Sequence, residues 1–249
     1  MNPTLLLIRP AGSNDQLASA FAALGWPVME RPLTRIAPVD EGVDEPRLAM
    51  NLDQFDHVIF VSQHAVHTGL PRLAAYWPQW PSGLRWYAVG KRTAMALQNQ
   101  GAPRVLFPAD SGSTGLLSLP PLVDVADSAV LIVKGEDGLD DLAHTLSERQ
   151  ARVEHLSTYR REPCTNDPVD DQVNGYVVPV YNSSVLTDLK IVLMNVADHH
   201  KVLVAVSERI AEAAAAIGFK KVLISSGVEL NTVATCVEDA GRWLSQDNL

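Results

Sequence analysis

The chain has 249 residues, about 1.7 times a typical 150-residue domain, so more than one compact unit is expected. Hydrophobic residues make up 47% and charged residues 20%, which excludes intrinsic disorder, and 15 Gly and 16 Pro scattered without a period exclude a collagen-like or low-complexity filament. A formal net charge of −9, from 20 Lys and Arg against 29 Asp and Glu, makes nucleic acid a poor partner because phosphate backbones are repelled.

No apolar run approaches the roughly 18–20 residues that span a bilayer. The opening MNPTLLLIRPAGSND lacks the basic start and apolar core of a signal peptide. The expectation is an unprocessed, cytoplasmic chain without membrane contact. Cys164 and Cys236 lie far apart with no Cys-x-x-Cys or Cys/His spacing, so neither a disulfide framework nor a structural zinc site is expected.

In chain order, the first segment (about 4–33) reads as a buried strand, a polar turn at Arg9–Ser13, an amphipathic helix and a second strand. The stretch LTRIAPVDEGVDEP (33–46) has the Pro and acidic content of a linker. From His57 to about 108 the chain gives three strands alternating with helices, including HVIFVSQHAVHTGL and WYAVGKRTAMALQNQGAPRVLFP. A loop with a short helix, Pro108–Val125, follows. The segment 129–157 repeats strand, turn, helix and strand, and STYRREPCTNDPVD (157–170) reads as a second linker. Residues 176–226 again give three strands and two helices.

These segments repeat. Arg9, Leu17 and Val28 fall on Lys134, Leu142 and Val153 at a constant offset of 125. Gly90 to Gly101 and Ser207 to Gly218 both span 11 residues, each covering a helix that a glycine stops before the next strand. The reading is an α/β protein of two doubly wound, parallel-sheet (flavodoxin-like) domains produced by internal duplication and joined by a two-strand linker. In such folds ligands bind at the carboxyl ends of the strands.

The ordered motifs LIRP (7–10), VSQHAV (61–66), AVGKRTA (88–94), SGSTGLLSLP (111–120), LIVKGEDG (131–138), STYRREP (157–163) and VSERIAEAAAAIGF (206–219) resemble those of the uroporphyrinogen-III synthase family over nearly the whole chain. The resemblance implies residues 1–34 plus 170–249 as one discontinuous domain and 50–156 as a continuous one, with linker strands at 35–49 and 157–169. It implies closure of hydroxymethylbilane, a linear tetrapyrrole octacarboxylate, to uroporphyrinogen III with loss of water and inversion of ring D. No cofactor and no metal are implied. The expected protein is a monomer, with transient contact to hydroxymethylbilane synthase and none to nucleic acid or membrane. The task is largely geometric: to hold the chain bent while an acid assists departure of the hydroxyl.

An octacarboxylate calls for cations and free backbone N–H groups even on an acidic chain. Candidate cations are Arg9 and Lys134 at corresponding strand ends, Lys91, Arg92 and Arg209 in first helical turns, and Arg160 and Arg161 beside the second linker; the plain alternative for each is a solvated surface charge. The turns Ser62–His64, Gly90–Thr93 and Asn182–Ser184 offer helix N-termini as anion sites, with Ser62, Thr93 and Ser183 also readable as caps. The expected binding set is thus Arg9, Ser62, His64, Gly90, Lys91, Thr93, Lys134, Gly135, Arg160, Ser183, Ser184 and Arg209. Tyr159, at the family's tyrosine position, is the expected acid, acting by hydrogen bonding to the departing hydroxyl. Two departures from the family pattern stand out: Ser207–Ile210 replaces a Gly and Thr pair, and Leu139 stands where an Arg is common. The rival readings are a two-domain small-ligand-binding module without catalysis, a nucleotide or flavin enzyme, and an inactive family member. The turns RPAGSND, VSQHAV and VKGEDG carry no Gly-x-Gly-x-x-Gly or P-loop pattern.

Overall fold

The computed structural model describes residues 2–40, 42, 45–136, 140–164, 166–172 and 174–246. The chain divides into two compact units, Met1–Arg35 with Glu162–Leu249, and Ile36–Arg161.

The discontinuous unit begins with β1 (Thr4–Leu7), α1 (Asp15–Ala23) and β2 (Val28–Glu30). The chain leaves it along β3 (Thr34–Pro38). The continuous unit then forms α2 (Glu45–Met50), β4 (His57–Phe60), α3 (Gln63–Ala74), β5 (Arg85–Ala88), α4 (Lys91–Asn99), β6 (Val105–Leu106), α5 (Ser113–Leu117), α6 (Pro120–Val123), β7 (Ala129–Gly135), α7 (Asp141–Glu148) and β8 (Arg152–Pro163). The first unit is completed by β9 (Tyr176–Val180), α8 (Leu186–Val192), β10 (Lys201–Ala205), α9 (Glu208–Ala216), β11 (Val222–Ile224) and α10 (Leu230–Gln246).

The sheet of the discontinuous unit has the order β11-β10-β9-β1-β2, with every neighbouring pair parallel. Counted along the unit's own strands, this is the doubly wound 2-1-3-4-5 order. Its central strands β1 and β9 are buried at every position, as strands covered by helices on both faces must be. Leu5, Leu7, Val178, Val204, Val233 and Val237 belong to one core.

The continuous unit has the order β3-β8-β7-β4-β5-β6, and the pairs from β8 to β6 are parallel. With the edge strand β3 set aside, taking β7 and β8 as first and second gives the remaining five strands the same 2-1-3-4-5 order. Alternation along the strands sends successive residues to opposite faces. Phe60, Trp86, Leu131 and Val133 face a core that includes Leu70 and Leu73 of α3 and Leu97 of α4. Ile59, Tyr87, Val130 and Ile132 face the core that holds Leu116, Leu122 and Leu146. A Cβ at Gly69 of α3 would lie 2.5 Å from Val133 Cγ1, so only glycine lets α3 seat this closely on β7.

The division between units falls after Arg35 and after Arg161. Both points lie inside strands, β3 and β8, which are hydrogen-bonded neighbours. β8 runs unbroken for 12 residues, absorbing a stretch whose Pro and acidic content reads as linker. Three helices end in left-handed glycines, Gly25 (φ +74°), Gly101 (φ +86°) and Gly218 (φ +101°), the conformation that closes a helix without a Cβ penalty.

Candidate active site

In the continuous unit the strand ends of β8, β7, β4 and β5 stand side by side. β4 ends at Phe60, and Ser62 caps α3: its Oγ accepts from the Ala65 N–H at 3.0 Å. The same Oγ is 3.0 Å from the Tyr159 hydroxyl, which reaches over from β8. Tyr159 is 3% exposed, and His64 meets its ring edge-on with centroids 5.7 Å apart.

The tyrosine gets there by crossing β7. The β7–β8 register shifts between Lys134 and Gly135, pairing Gly135 with Tyr159. A Cβ at Gly135 would lie 2.8 Å from Cε2 and Cζ of the ring. A side chain at position 135 would therefore displace the phenol from Ser62. Gly135, Ser62, His64 and Tyr159 form one cluster, spanning the point where the strand order reverses between β7 and β4. Crevices at such points are where doubly wound sheets bind ligands.

Lys134 is 7% exposed, with Nζ 2.5 Å from Asp140 Oδ1 at the start of α7. The lysine's hydrogen bond and charge hold the Asp140 carboxyl below its ordinary pKa. Lys134 thus spends charge on a neighbour that sequence reading did not pair with it. Leu139 lies outside the described residues.

One strand further on, Gly90 caps α4 without a side-chain bond. A Cβ there would lie 2.6 Å from Ser111 Oγ, and Gly112 N donates to Val89 O at 2.9 Å. The loop before α5 is thereby laid against the β5 turn. Lys91 and Arg92 are exposed in the first turn of α4, and Thr93 is buried beside them. Arg160 is exposed on β8.

The discontinuous unit builds a corresponding edge from β1, β9 and β10. The Arg9 guanidinium lies 4.3 Å over the Tyr181 ring and donates to Ser13 O at 2.9 Å. Asn14 Nδ2 donates to Arg9 O at 3.1 Å, so the turn after β1 is tied on both sides of the cation. Tyr181 is a neighbour of the candidate residue Arg9 that sequence reasoning missed; it directly follows the last residue of β9 and is adjacent to the capping turn, but nothing in sequence alone pairs it with Arg9. The cap of the β9 turn is Asn182, whose Oδ1 accepts from Ser184 N at 3.0 Å. Ser183 and Ser184 form the first residues of a short 3-10 turn (Ser183–Val185). Arg209 is exposed in the first turn of α9.

His199 and His200 lie at 4.1 Å centroid spacing, and His200 Nδ1 meets Asp171 Oδ1 at 2.9 Å. Among the described residues no group of three or more His, Cys, Asp or Glu side chains is placed to hold a metal ion. Among them too, no helix is long and apolar enough to cross a membrane.

The family model described as uroporphyrinogen-III synthase HemD matches residues 15–233. The chain belongs to the uroporphyrinogen-III synthase family. It is 28% identical over 239 residues to the uroporphyrinogen-III synthase of Escherichia coli strain K12, covering 91% of this chain and 96% of that one. To the Salmonella typhimurium synthase it is 33% identical over 162 residues, 64% of this chain and 65% of the relative. Among solved structures, uroporphyrinogen-III synthetase from Helicobacter pylori 26695 superposes with a TM-score of 0.60 at 14% identity, covering 96% of this chain and all (100%) of that chain. A mutant synthase from Thermus thermophilus gives 0.55 at 19% identity, covering 97% and 99%. At these identities the superpositions establish the shared synthase fold, and the family assignment rests on sequence.

Proposed function

We propose that the protein is a uroporphyrinogen-III synthase, a cyclising lyase that closes hydroxymethylbilane with inversion of ring D and loss of water. The observation that carries this is the family match over 15–233, on a chain whose parallel sheets each present a row of strand-to-helix turns at their carboxyl edges. Such turns supply unpaired N–H groups for carboxylates.

In this reading the two units are the duplicated domains of the enzyme, hinged on β3 and β8, and the identical strand order in both supports duplication. Arg9, Ser183, Ser184 and Arg209 bind substrate carboxylates in one unit. Ser62, His64, Gly90, Lys91, Thr93 and Arg160 do so in the other, while the buried Lys134, ion-paired to Asp140, holds the start of α7. The enzyme works as a cytoplasmic monomer that takes the unstable bilane from hydroxymethylbilane synthase in transient contact.

For the acid, the geometry favours Tyr159 acting through Ser62. With the Tyr159 O–H donating to Ser62 Oγ, and Ala65 N–H donating to the same oxygen, the serine's own proton is directed outward. Ser62 then offers the hydrogen bond to the departing hydroxyl, and Tyr159 is its positioning partner.

The test is isomer analysis. Hydroxymethylbilane is generated in situ by its synthase, the protein is added, and the products are oxidised and separated. Predominantly type III uroporphyrin is expected. Only type I, from protein shown to be folded, overturns the proposal and leaves a ligand-binding module.

A further inference from the structure

The continuous unit has a second concavity, away from the carboxyl edge of its sheet. It lies at the amino ends of β5 and β6 and encloses about 820 Å³, within the range of roughly 300–1,000 Å³ usual for small-molecule sites. Its apolar walls include Trp80, Trp86, Leu84 and Pro103. The two indoles meet edge-on at 4.8 Å, and Trp80 is fixed because its Nε1 donates to Gly101 O at 3.2 Å.

Trp86 differs. It is 1% exposed, and its Nε1 is the buried side-chain polar atom that finds no hydrogen-bond partner among the described residues. Buried donors are almost always satisfied, so an orphan in the wall of a cavity points to an acceptor supplied from outside. Arg85 and Arg104 also line the cavity, and no described Asp or Glu does. Both arginines are exposed, and Arg104 makes no hydrogen bond or ion pair among the described residues. The Arg85 side chain is engaged with the Tyr87 hydroxyl on the opposite face of β5, so on a chain of net charge −9 it is Arg104 that gives the apolar slot a cationic rim.

We propose that this cavity is a binding site for a small planar aromatic carboxylate. The ring lies against Trp80, the carboxylate meets the planar donor fork of Arg104, and one acceptor satisfies Trp86 Nε1. Apolar walls disfavour a sugar phosphate, and the cationic rim selects the acid over its neutral analogue. The proposal stands apart from the synthase reading, since none of its residues belongs to the carboxyl-edge cluster.

The probe is 2-naphthoate, titrated into the full chain by calorimetry and tryptophan fluorescence, with 2-naphthalenemethanol as the neutral analogue. Saturable naphthoate binding is expected, with Arg104→Ala and Trp86→Phe each weakening it about three- to tenfold. The alcohol is expected to bind weaker by a similar factor, and Arg9→Ala to change nothing. Arg104 is exposed, so its variant carries the test even where Trp86→Phe fails to fold. The proposal is overturned if naphthoate does not bind, if it binds Arg104→Ala as well as the parent, or if Arg9→Ala is the substitution that abolishes binding.

Discussion

At the scale of single residues, the decisive contact is Tyr159 against a glycine. The 2.8 Å approach of a Cβ at position 135 to the phenol ring makes Gly135→Ala an overpacking substitution, expected to cost about 1–3 kcal/mol. It should also displace Tyr159 from Ser62 and lower the type III yield, read by thermal unfolding and isomer separation in parallel. Unchanged stability and yield would mean that the ring relaxes freely. A second residue-scale expectation concerns His57, which is 2% exposed with Nδ1 3.0 Å from the Tyr87 hydroxyl. Burial, then the Arg85 charge, hold its pKa below the ordinary 6.5, against a weaker opposite pull from Asp56. His155 is lowered in the same sense by partial desolvation and by Lys134, against Asp140, but it is exposed, so solvent screening leaves it little effect on stability. A folded-state pKa below the unfolded one means that the unfolded chain binds more protons near pH 6. Stability is therefore full above about pH 6.5 and is lost as pH falls toward the folded value, with a slope of at most about 1.4 kcal/mol per pH unit for the buried His57. Urea unfolding at pH 7.5 and 5.5 should show the loss, and His57→Gln should flatten it.

At the scale of elements, the helix starts carry the site. Ser62 closes the first turn of α3 and holds the Tyr159 hydroxyl with the same oxygen. Ser62→Ala removes a cap worth about 1 kcal/mol and leaves a buried phenol unpaired, a further cost of about 1 kcal/mol or more. Denaturant midpoints should register a loss of about 2 kcal/mol. Asn182 plays the capping part in the β9 turn, where the sequence offered Ser183 equally well. Asn and Ser are near-equal caps, so only the backbone at 182 distinguishes them. Likewise, β8 continues straight through STYRREP because β7 and β3 pair it on both sides, an influence that local composition does not carry.

At the scale of the whole molecule, each unit owns its core. The core residues of the continuous unit all fall between Leu48 and Tyr159, and those of the other unit come from residues 5–33 and 169–244. A fragment of residues 36–161 is expected to fold alone, with a cooperative thermal transition and parallel α/β circular dichroism. A non-cooperative melt would show that the unit depends on the rest of the chain.

Pattern and motif in the sequence were enough to determine the parallel α/β class and the family. Apolar runs of strand length, 11-residue helical spacings and glycine stops are local signals, set by backbone sterics and by which faces must be dry. What the tertiary structure alone decided is which distant residues meet: Tyr159 with Ser62 across Gly135, Arg9 with Tyr181, Lys134 with Asp140. Those pairings depend on strand order and register. A shift of one residue along β8 would turn Tyr159 to the opposite face of its sheet, and nothing within STYRREP itself fixes that register. It is fixed by the bulge at Lys134–Gly135 and by the neighbours that close packing admits.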